Sequence, residues 1–237
     1  LFSLDLVKQN FENFSLDLIY GIPNSSFDKW KKNLQILIEN DIPHISTYAL
    51  TVEPKTALKK LIENKKIDKI SDTDQRVQYD FTFKTLSDLG YTNYEFSSYS
   101  KPGFECQNNL GYWNRKKYLG FGPSAHSFDG KIRKWNISNN QLYHASIESG
   151  KLPLKVESLS EKDIYNEIVM IGLRRSTGIN IDELKSKFDK KYVHHFLKEI
   201  SLKISKGILE KKENIIYTSD DYKFMTDGIA SDLFITD

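Results

Sequence analysis

Cysteine is almost absent from this sequence, since Cys106 is the single one among 237 residues. One thiol excludes an internal disulfide framework. It also excludes an iron–sulfur or all-thiolate zinc site built from this chain alone, because such sites need three or four thiolates. No apolar run approaches the roughly 18 residues of a membrane span, and no signal sequence opens the chain. The default expectation is a cytosolic protein.

Net charge is also low. The 34 Lys and Arg residues nearly balance the 32 Asp and Glu residues, which leaves a net charge of +2. Such a balance gives no overall field that would attract nucleic acid or an anionic membrane. With 39% hydrophobic and 28% charged residues, the chain is too apolar for disorder, and its length allows one large domain or a main domain with a smaller one.

The first half alternates strand and helix patterns. The apolar run at 15–23 predicts a buried strand, and Ser26 is placed to cap a helix that ends near Asn40. The β-branched and aromatic residues at 44–52 predict the next strand, which makes a βαβ unit with parallel pairing. A polar segment at 55–72, a helix over 74–89 and a strand over 91–97 follow. This pattern indicates half of a β/α barrel or a piece of an open α/β sheet.

The second half changes character. Residues 98–130 are rich in Gly, Asn, Pro and aromatics, which indicates loops that line a site. Ser160 and Asp163 resemble a capping box at the start of a helix. Further helices are predicted near 181–188 and 193–206, then a hairpin around 212–214 and a last helix ending near Phe234. Three helices with a hairpin wing predict a winged-helix module.

A winged helix raises the alternative of DNA binding through the helix at 193–206. Residues 160–237 contain 13 Lys and Arg against 14 Asp and Glu. This composition lacks the basic surface that DNA binding requires. The sequence therefore predicts no nucleic-acid partner.

Asp17 is an acid in the middle of an apolar strand. Burial of an unpaired carboxylate is costly, so such an acid tends to serve a partner. Near the carboxyl end of a β/α strand it could accept hydrogen bonds from ribose hydroxyls. A structural salt bridge or an exposed strand face is the alternative.

Two further segments are candidates for ligand contact. The loop at 120–127 could bring its backbone close to a ligand with His126 directed at it, or it could be a tight loop with a packed histidine. The amides and rings near Cys106 could wall a planar ligand, or they could be ordinary packing. They are Asn108, Asn109, Tyr112 and Trp113. Cys106 has no neighbouring base, and no catalytic residue or metal ligand is assigned.

Five segments, in order along the chain, closely resemble the HemW family. They are Asp-Leu-Ile-Tyr-Gly-Ile-Pro at 17–23, Ile-Ser-Thr-Tyr-Ala-Leu-Thr-Val-Glu-Pro at 45–54, Tyr-Glu-Phe-Ser at 94–97, and the stretches 106–113 and 118–127. Members of the HemW family are radical S-adenosylmethionine (SAM) proteins related to the oxygen-independent coproporphyrinogen III oxidase HemN. The resemblance implies an α/β fold, with the C-terminal half of a partial β/α barrel at 1–135. A connecting segment at 136–159 and a winged-helix-like domain of the HemN C-terminal type at 160–237 would follow.

The resemblance also implies cofactors. In the family, a [4Fe–4S] cluster held by a C-x-x-x-C-x-x-C motif chelates SAM, whose cleavage yields a carbon radical. Asp17 matches the acid that contacts the SAM ribose. Ala49 and His126 match positions lining the adenosine, with His126 where the oxidase relatives carry an apolar residue. The cluster cysteines have no counterpart here, so we expect this chain to be inactive alone and to be the C-terminal part of a longer protein.

Haem is the third group that the resemblance implies, because an H-N-x-x-Y-W motif is implicated in haem binding by the family. The corresponding residues are 108–113, and Asn108 replaces the histidine. An amide is not a normal haem iron ligand, whereas Tyr112 and Trp113 could still pack on a porphyrin. The resemblance implies a cytosolic or membrane-associated chaperone that binds SAM, a cluster and haem and delivers haem to a client protein. A coproporphyrinogen III oxidase is the main alternative, and a binding or regulatory module without radical chemistry is the third.

Overall fold

The computed structural model describes residues 2–236, which divide into two compact units. The first comprises the residues up to Cys106 with Arg174–Thr177 and Asp220–Thr226. The second comprises Gln107–Leu173, Gly178–Ser219 and the residues from Asp227 onward. The domain boundaries expected from the family resemblance, at 135 and 160, stay a prediction.

The first unit is an α/β layer structure. Its elements are α1 (Phe2–Asn10), β1 (Ser15–Tyr20), α2 (Phe27–Glu39), β2 (His44–Ala49), α3 (Ala57–Glu63), α4 (Asp72–Asp88), β3 (Thr92–Glu95), β4 (Ser98–Ser100) and a 3₁₀ helix (Asp220–Met225). The sheet order is β1-β2-β4-β3, with β1 and β2 parallel and β4 antiparallel to both of its neighbours. The predicted βαβ unit is confirmed.

Helix starts in this unit follow their capping residues. The Ser26 hydroxyl accepts a hydrogen bond from the Lys29 N–H, and α2 begins at the next residue as predicted. Ser71 caps α4 in the same way through the Asp74 N–H, so this helix starts two residues before the predicted position. The polar segment at 55–72, for which no element was predicted, contains the short helix α3, which Thr56 caps.

The strand predicted at 91–97 is the shorter strand β3, which is followed by a turn and a second strand. The chain leaves β3 at Glu95, turns, and returns antiparallel as β4. The expectation that 98–130 is all loop is corrected with it, since that stretch holds β4 and two elements of the second unit. Elements of three to seven residues are too short to show a periodicity that distinguishes them from loops.

The core of the first unit lies between the helices and one face of its sheet. Leu34 of α2, Ile45 of β2 and Leu86 of α4 are completely buried there. Trp30 places its indole N–H 3.0 Å from the Thr82 hydroxyl oxygen, which joins α2 to α4 through a satisfied polar contact. Helices therefore cover this face of the sheet, and the residues that alternate with Ile45 along β2, such as His44 and Ser46, point to the other face.

The second unit contains two small antiparallel sheets, β5-β6-β7 and β8-β10-β9. Its elements are α5 (Gln107–Trp113), β5 (His126–Phe128), β6 (Ile132–Asn136), α6 (Asn140–Glu148), β7 (Leu154–Ser158), α7 (Glu161–Arg174), β8 (Ile179–Asn180), α8 (Ile181–Lys187), α9 (Lys190–Ser205), β9 (Leu209–Lys212), β10 (Ile215–Thr218) and α10 (Thr226–Ser231). The helices α7, α8 and α9, followed by the β9–β10 hairpin, form the predicted winged-helix arrangement.

Local signals explain the start of this module. The Ser160 hydroxyl accepts from the Asp163 N–H, and the Asp163 carboxylate accepts from the Ser160 N–H. The predicted capping box is therefore present. Aromatic rings pack together beyond it, with Tyr165 of α7 5.6 Å from Phe188, which follows α8, and 5.3 Å from Tyr192 of α9, between ring centroids. None of the described helices has the length and apolar character needed to cross a bilayer.

Candidate functional site

The face of the first unit's sheet that the core does not use is lined by polar side chains. Strand residues paired directly across a ladder point to the same face, so the register defines two rows. The rows are Asp17, Ser46 and Ser98, and Ser15, His44 and Ser100. Among the described residues, the buried Ser98 and Ser100 hydroxyls have no hydrogen-bond partner. Most buried hydroxyls have a hydrogen-bond partner, so these two are exceptions that call for an explanation.

His44 is at the centre of this polar face and is 2% exposed. The Ser15 hydroxyl oxygen lies 2.7 Å from His44 Nδ1, and the Tyr94 hydroxyl oxygen lies 2.7 Å from Nε2. Burial lowers the pKa of His44 below its ordinary value of 6.5, although the nearby carboxylates of Glu95, Asp17 and Glu105 act in the opposite direction. The imidazole is therefore neutral at pH 7, with one ring nitrogen donating and the other accepting.

We expect His44 to make the protein less stable in acid. Below pH 6.5 the unfolded chain takes up the imidazole proton more readily than the folded one, so the free energy of unfolding falls by up to about 1.4 kcal/mol per pH unit. Urea unfolding at pH 7.5 and 5.5 measures this. His44→Gln should show a smaller loss between the two pH values than the wild type. His144→Gln, which removes a largely exposed histidine, should retain the full loss. Equal losses in all three proteins would contradict the assignment.

Asp17 is exposed on β1 and, among the described residues, forms no ion pair. The structure thus places it on an exposed strand face instead of in a salt bridge, which leaves its carboxylate available. Ala49 is at the carboxyl end of the neighbouring strand, paired with Tyr20. By register, its side chain lies on the opposite face from Asp17. The two residues lie on adjacent strands, and their roles toward SAM stay predictions.

His126 belongs to the second unit, at the start of β5. Its exposed ring stacks on Trp135 with 5.9 Å between centroids. A Cβ atom at Gly120 would overlap the carbonyl oxygen of His126. The glycine is therefore required for the loop to approach its own backbone, and the Gly120 N–H donates to the Ser127 hydroxyl at 3.0 Å. These contacts fit the alternative of a tight loop with a packed histidine, and SAM contact by His126 stays a prediction.

The four residues predicted to contact haem lie on α5. Residues four apart share a helix face, so Asn108 and Tyr112 form one pair while Asn109 and Trp113 form another. Asn108 and Tyr112 are exposed, and the other two are partly buried. Tyr112 alone among them lines a cavity of the second unit. Asn108, which replaces the family histidine, therefore lies on the same face of α5 as Tyr112.

That cavity has a volume of about 470 Å³, within the range of about 300–1,000 Å³ found for small-molecule sites. Aromatic and apolar side chains form most of its wall, and two arginines with three carboxylates supply the charge. The lining residues are Tyr112, Arg115, Tyr118, Phe128, Arg133, Glu157, Leu159, Asp163, Asn166, Glu167, Met170, Ile171 and Phe234. Tyr112 and Tyr118 meet edge to face at 4.8 Å between centroids.

The sequence analysis did not identify His44, the serines of the two polar rows, or the two arginines of the cavity as site residues. The Ser-Tyr-Ser segment of β4 alternates polar and apolar residues, a signal that could have identified the polar face. Arg115 follows α5 and Arg133 lies on β6, and neither belongs to a local motif. Their proximity arises from the fold alone, so no sequence pattern could have identified it.

The described residues contain no group of three or more His, Cys, Asp or Glu side chains suited to a metal ion. Cys106 is a free and partly buried thiol. A single thiolate does not fit a [4Fe–4S] cluster, which needs at least three from the protein here. The residues of this chain therefore do not fit that group.

Comparison with known proteins gives consistent matches. Residues 159–221 match the HemN C-terminal domain model. "Heme chaperone HemW" of Mycobacterium tuberculosis is 31% identical over 76% of this chain and 46% of its own length. The Bacillus subtilis protein of that name is 26% identical over 91% of this chain and 57% of its own length. The chain spans about half the length of the curated relatives it matches.

A solved structure agrees in fold. Coproporphyrinogen III oxidase (HemN) from Escherichia coli, described as a radical SAM enzyme, matches with a TM-score of 0.78. The match covers 98% of this chain and 57% of the oxidase, at 17% sequence identity. These matches confirm the α/β fold class, and with the sequence relatives they show that this chain belongs to the HemW family of HemN-related radical SAM proteins and corresponds to their C-terminal part.

Proposed function

We propose that the protein binds haem and delivers it to a haem-dependent client, as part of a haem chaperone that also carries SAM and a [4Fe–4S] cluster. The observation that carries this proposal is the aromatic-walled cavity of the second unit, which Tyr112 of the family's Tyr-Trp pair lines. Two of the relatives that match over most of this chain are named haem chaperones. A concave site with flat aromatic walls suits a planar porphyrin.

SAM is proposed to bind at the polar face of the first unit's sheet. Asp17 is exposed there and beside Ser46, so its carboxylate can accept hydrogen bonds from two ribose hydroxyls. In β/α folds, ligands bind beyond the carboxyl ends of parallel strands, where Ala49 ends β2. We propose that Ala49 contacts the adenosine through its backbone, because its side chain lies on the other face. His126 is proposed as a further adenosine contact on family grounds alone.

The cluster must obtain its thiolates from residues outside this chain, because Cys106 is the single cysteine. The part that this chain would play is to hold the nucleoside of SAM and to line that site.

Oxidative decarboxylation of coproporphyrinogen III is the second candidate. It is favoured by the 0.78 TM-score to the oxidase. At 17% identity that similarity concerns the fold, whereas the chaperone relatives reach 31% identity. We therefore prefer haem delivery. Conversion of coproporphyrinogen III by the protein joined to its cluster-binding residues would favour the oxidase instead.

Haem titration of the purified chain tests the proposal. We expect saturable binding of one haemin per chain, read from the Soret absorbance. Asn108→His should lower the Kd about tenfold or more, because an imidazole on the Tyr112 face can ligate the iron. Asn114→His adds an imidazole at an exposed position beyond α5 and should leave the Kd unchanged. No saturable binding to the wild type would refute haem binding, and equal Kd values for both variants would show that position 108 is not a ligand.

A further inference from the structure

We propose that the cavity of the second unit receives the carboxylate edge of haem, with Arg115 and Arg133 binding the two propionates. The inference rests on the proposed haem-binding function and names the residues that would hold the ligand. It assigns a role to two arginines that lie outside the family's sequence motif. The ligand class is a planar aromatic ring system with carboxylate substituents.

The two guanidiniums share one carboxylate inside the cavity. Arg115 and Arg133 both form ion pairs with Glu167, and their side chains are 16% and 33% exposed. Burial lowers the pKa of Arg115, and the charge of Arg133 lowers it further. Arg115, Arg133 and Glu167 together carry one net positive charge, which one propionate would neutralise, and the second propionate would take the place of Glu157 at Arg133. Each guanidinium has five N–H donors, so both can bind a second carboxylate while keeping the first.

The other acids of the cavity compete weakly for this positive charge. Glu157 approaches Arg133 at 3.4 Å from the solvent side, where its side chain is 48% exposed. Asp163 accepts hydrogen bonds from the backbone and hydroxyl of Ser160 and lies in the first turn of α7. The helix dipole and these bonds already stabilise its charge. Exposed pairs are worth little, so Glu157 can yield Arg133 to a ligand.

Apolar walls adjoin the arginines. Phe128 is 6% exposed, and the Arg115 guanidinium lies 5.1 Å from its ring centroid. The rings of Tyr112 and Tyr118 and the thioether of Met170 complete a surface against which a porphyrin can pack. Flat apolar walls beside paired guanidiniums match an amphipathic ligand with carboxylates at one edge. Neither a purely apolar ligand nor a simple anion would use both features.

The test compares haemin with haemin dimethyl ester, in which the propionate charges are removed. Wild-type chain should bind the ester about 10- to 100-fold more weakly, since a hydrogen bond between charged groups contributes on that scale. Arg133→Gln should weaken haemin binding by a similar factor and leave ester binding unchanged. Lys134→Gln removes the same charge at the next residue of β6, whose side chain points to the other face, and should change neither.

The outcomes separate the inference from the function it rests on. If the wild type binds haemin and the ester equally, or if Arg133→Gln binds haemin like the wild type, the propionates do not enter this cavity and the inference is overturned while haem binding stands. If the wild type binds neither, the proposed function itself fails. The ester comparison uses the unmodified chain, so it remains decisive if the Arg133 variant does not fold.

Discussion

Phe196→Ala is expected to remove about 3–5 kcal/mol from the free energy of unfolding. The ring is completely buried in α9, the helix that packs on α8 and β9. Its loss removes apolar burial and leaves a cavity that the surrounding helices can fill only in part. Since native domains are stable by about 5–15 kcal/mol, the change removes a large share of the total. Urea unfolding followed by far-UV circular dichroism measures it.

Leu197→Ala provides the matched control, because Leu197 is the next residue of the same helix and is 41% exposed. It should cost less than about 1 kcal/mol, as substitutions near the surface usually do. If both variants unfold with the same dependence of free energy on urea concentration, the difference between their midpoint urea concentrations measures the effect of burial. Equal losses would mean that α9 does not present Phe196 to the core.

Gly178→Ala is the second change with a large expected effect. Gly178 has a φ of +65°, and a Cβ there would lie 2.5 Å from the Ile216 carbonyl oxygen and 2.7 Å from Ile215 Cγ2. The left-handed backbone costs about 1–2 kcal/mol for a residue with a side chain. Overlap with the β10 backbone adds about 1–3 kcal/mol, because the strand cannot move without breaking its pairing with β8 and β9.

Gly207 separates these two contributions. Its φ is +69°, but nothing lies within 4 Å of a Cβ placed on it. Gly207→Ala should therefore show the backbone cost alone. We expect thermal unfolding to give a clearly lower Tm for Gly178→Ala than for Gly207→Ala. If the two Tm values coincide, the close approach of Gly178 to β10 is absent.

The parts of the fold that could be predicted are those with strong local signals. Ser26 and the Ser160–Asp163 pair marked their helix starts because the capping side chain and the backbone it satisfies are close in sequence. The short strand β4 was missed because its three residues owe their conformation to pairing with β2 and β3. Context of this kind overrides the weak propensity of a short segment.

The residues of the candidate site also divide into those that sequence motifs predict and those that only the fold brings together. Family motifs predicted ligand contacts for Asp17 and Tyr112, of which Asp17 is exposed on β1 and Tyr112 lines the cavity of the second unit. The polar rows depend on strand register, which the sequence does not specify until the pairing is known. Arg115 and Arg133 meet at Glu167 only because a turn, a strand and a helix converge.

The order of the two units along the chain bears on how the protein is made. The first unit is not continuous, since it takes in Arg174–Thr177 and Asp220–Thr226 after the chain has entered the second. Its last segment includes Phe224, whose ring lies 5.6 Å from that of Tyr79 between centroids. Domains emerging from the ribosome generally fold from the N-terminus. Here the sheet that carries Asp17 cannot complete its packing until nearly the whole chain has been synthesised, so premature termination anywhere before residue 224 would damage both units.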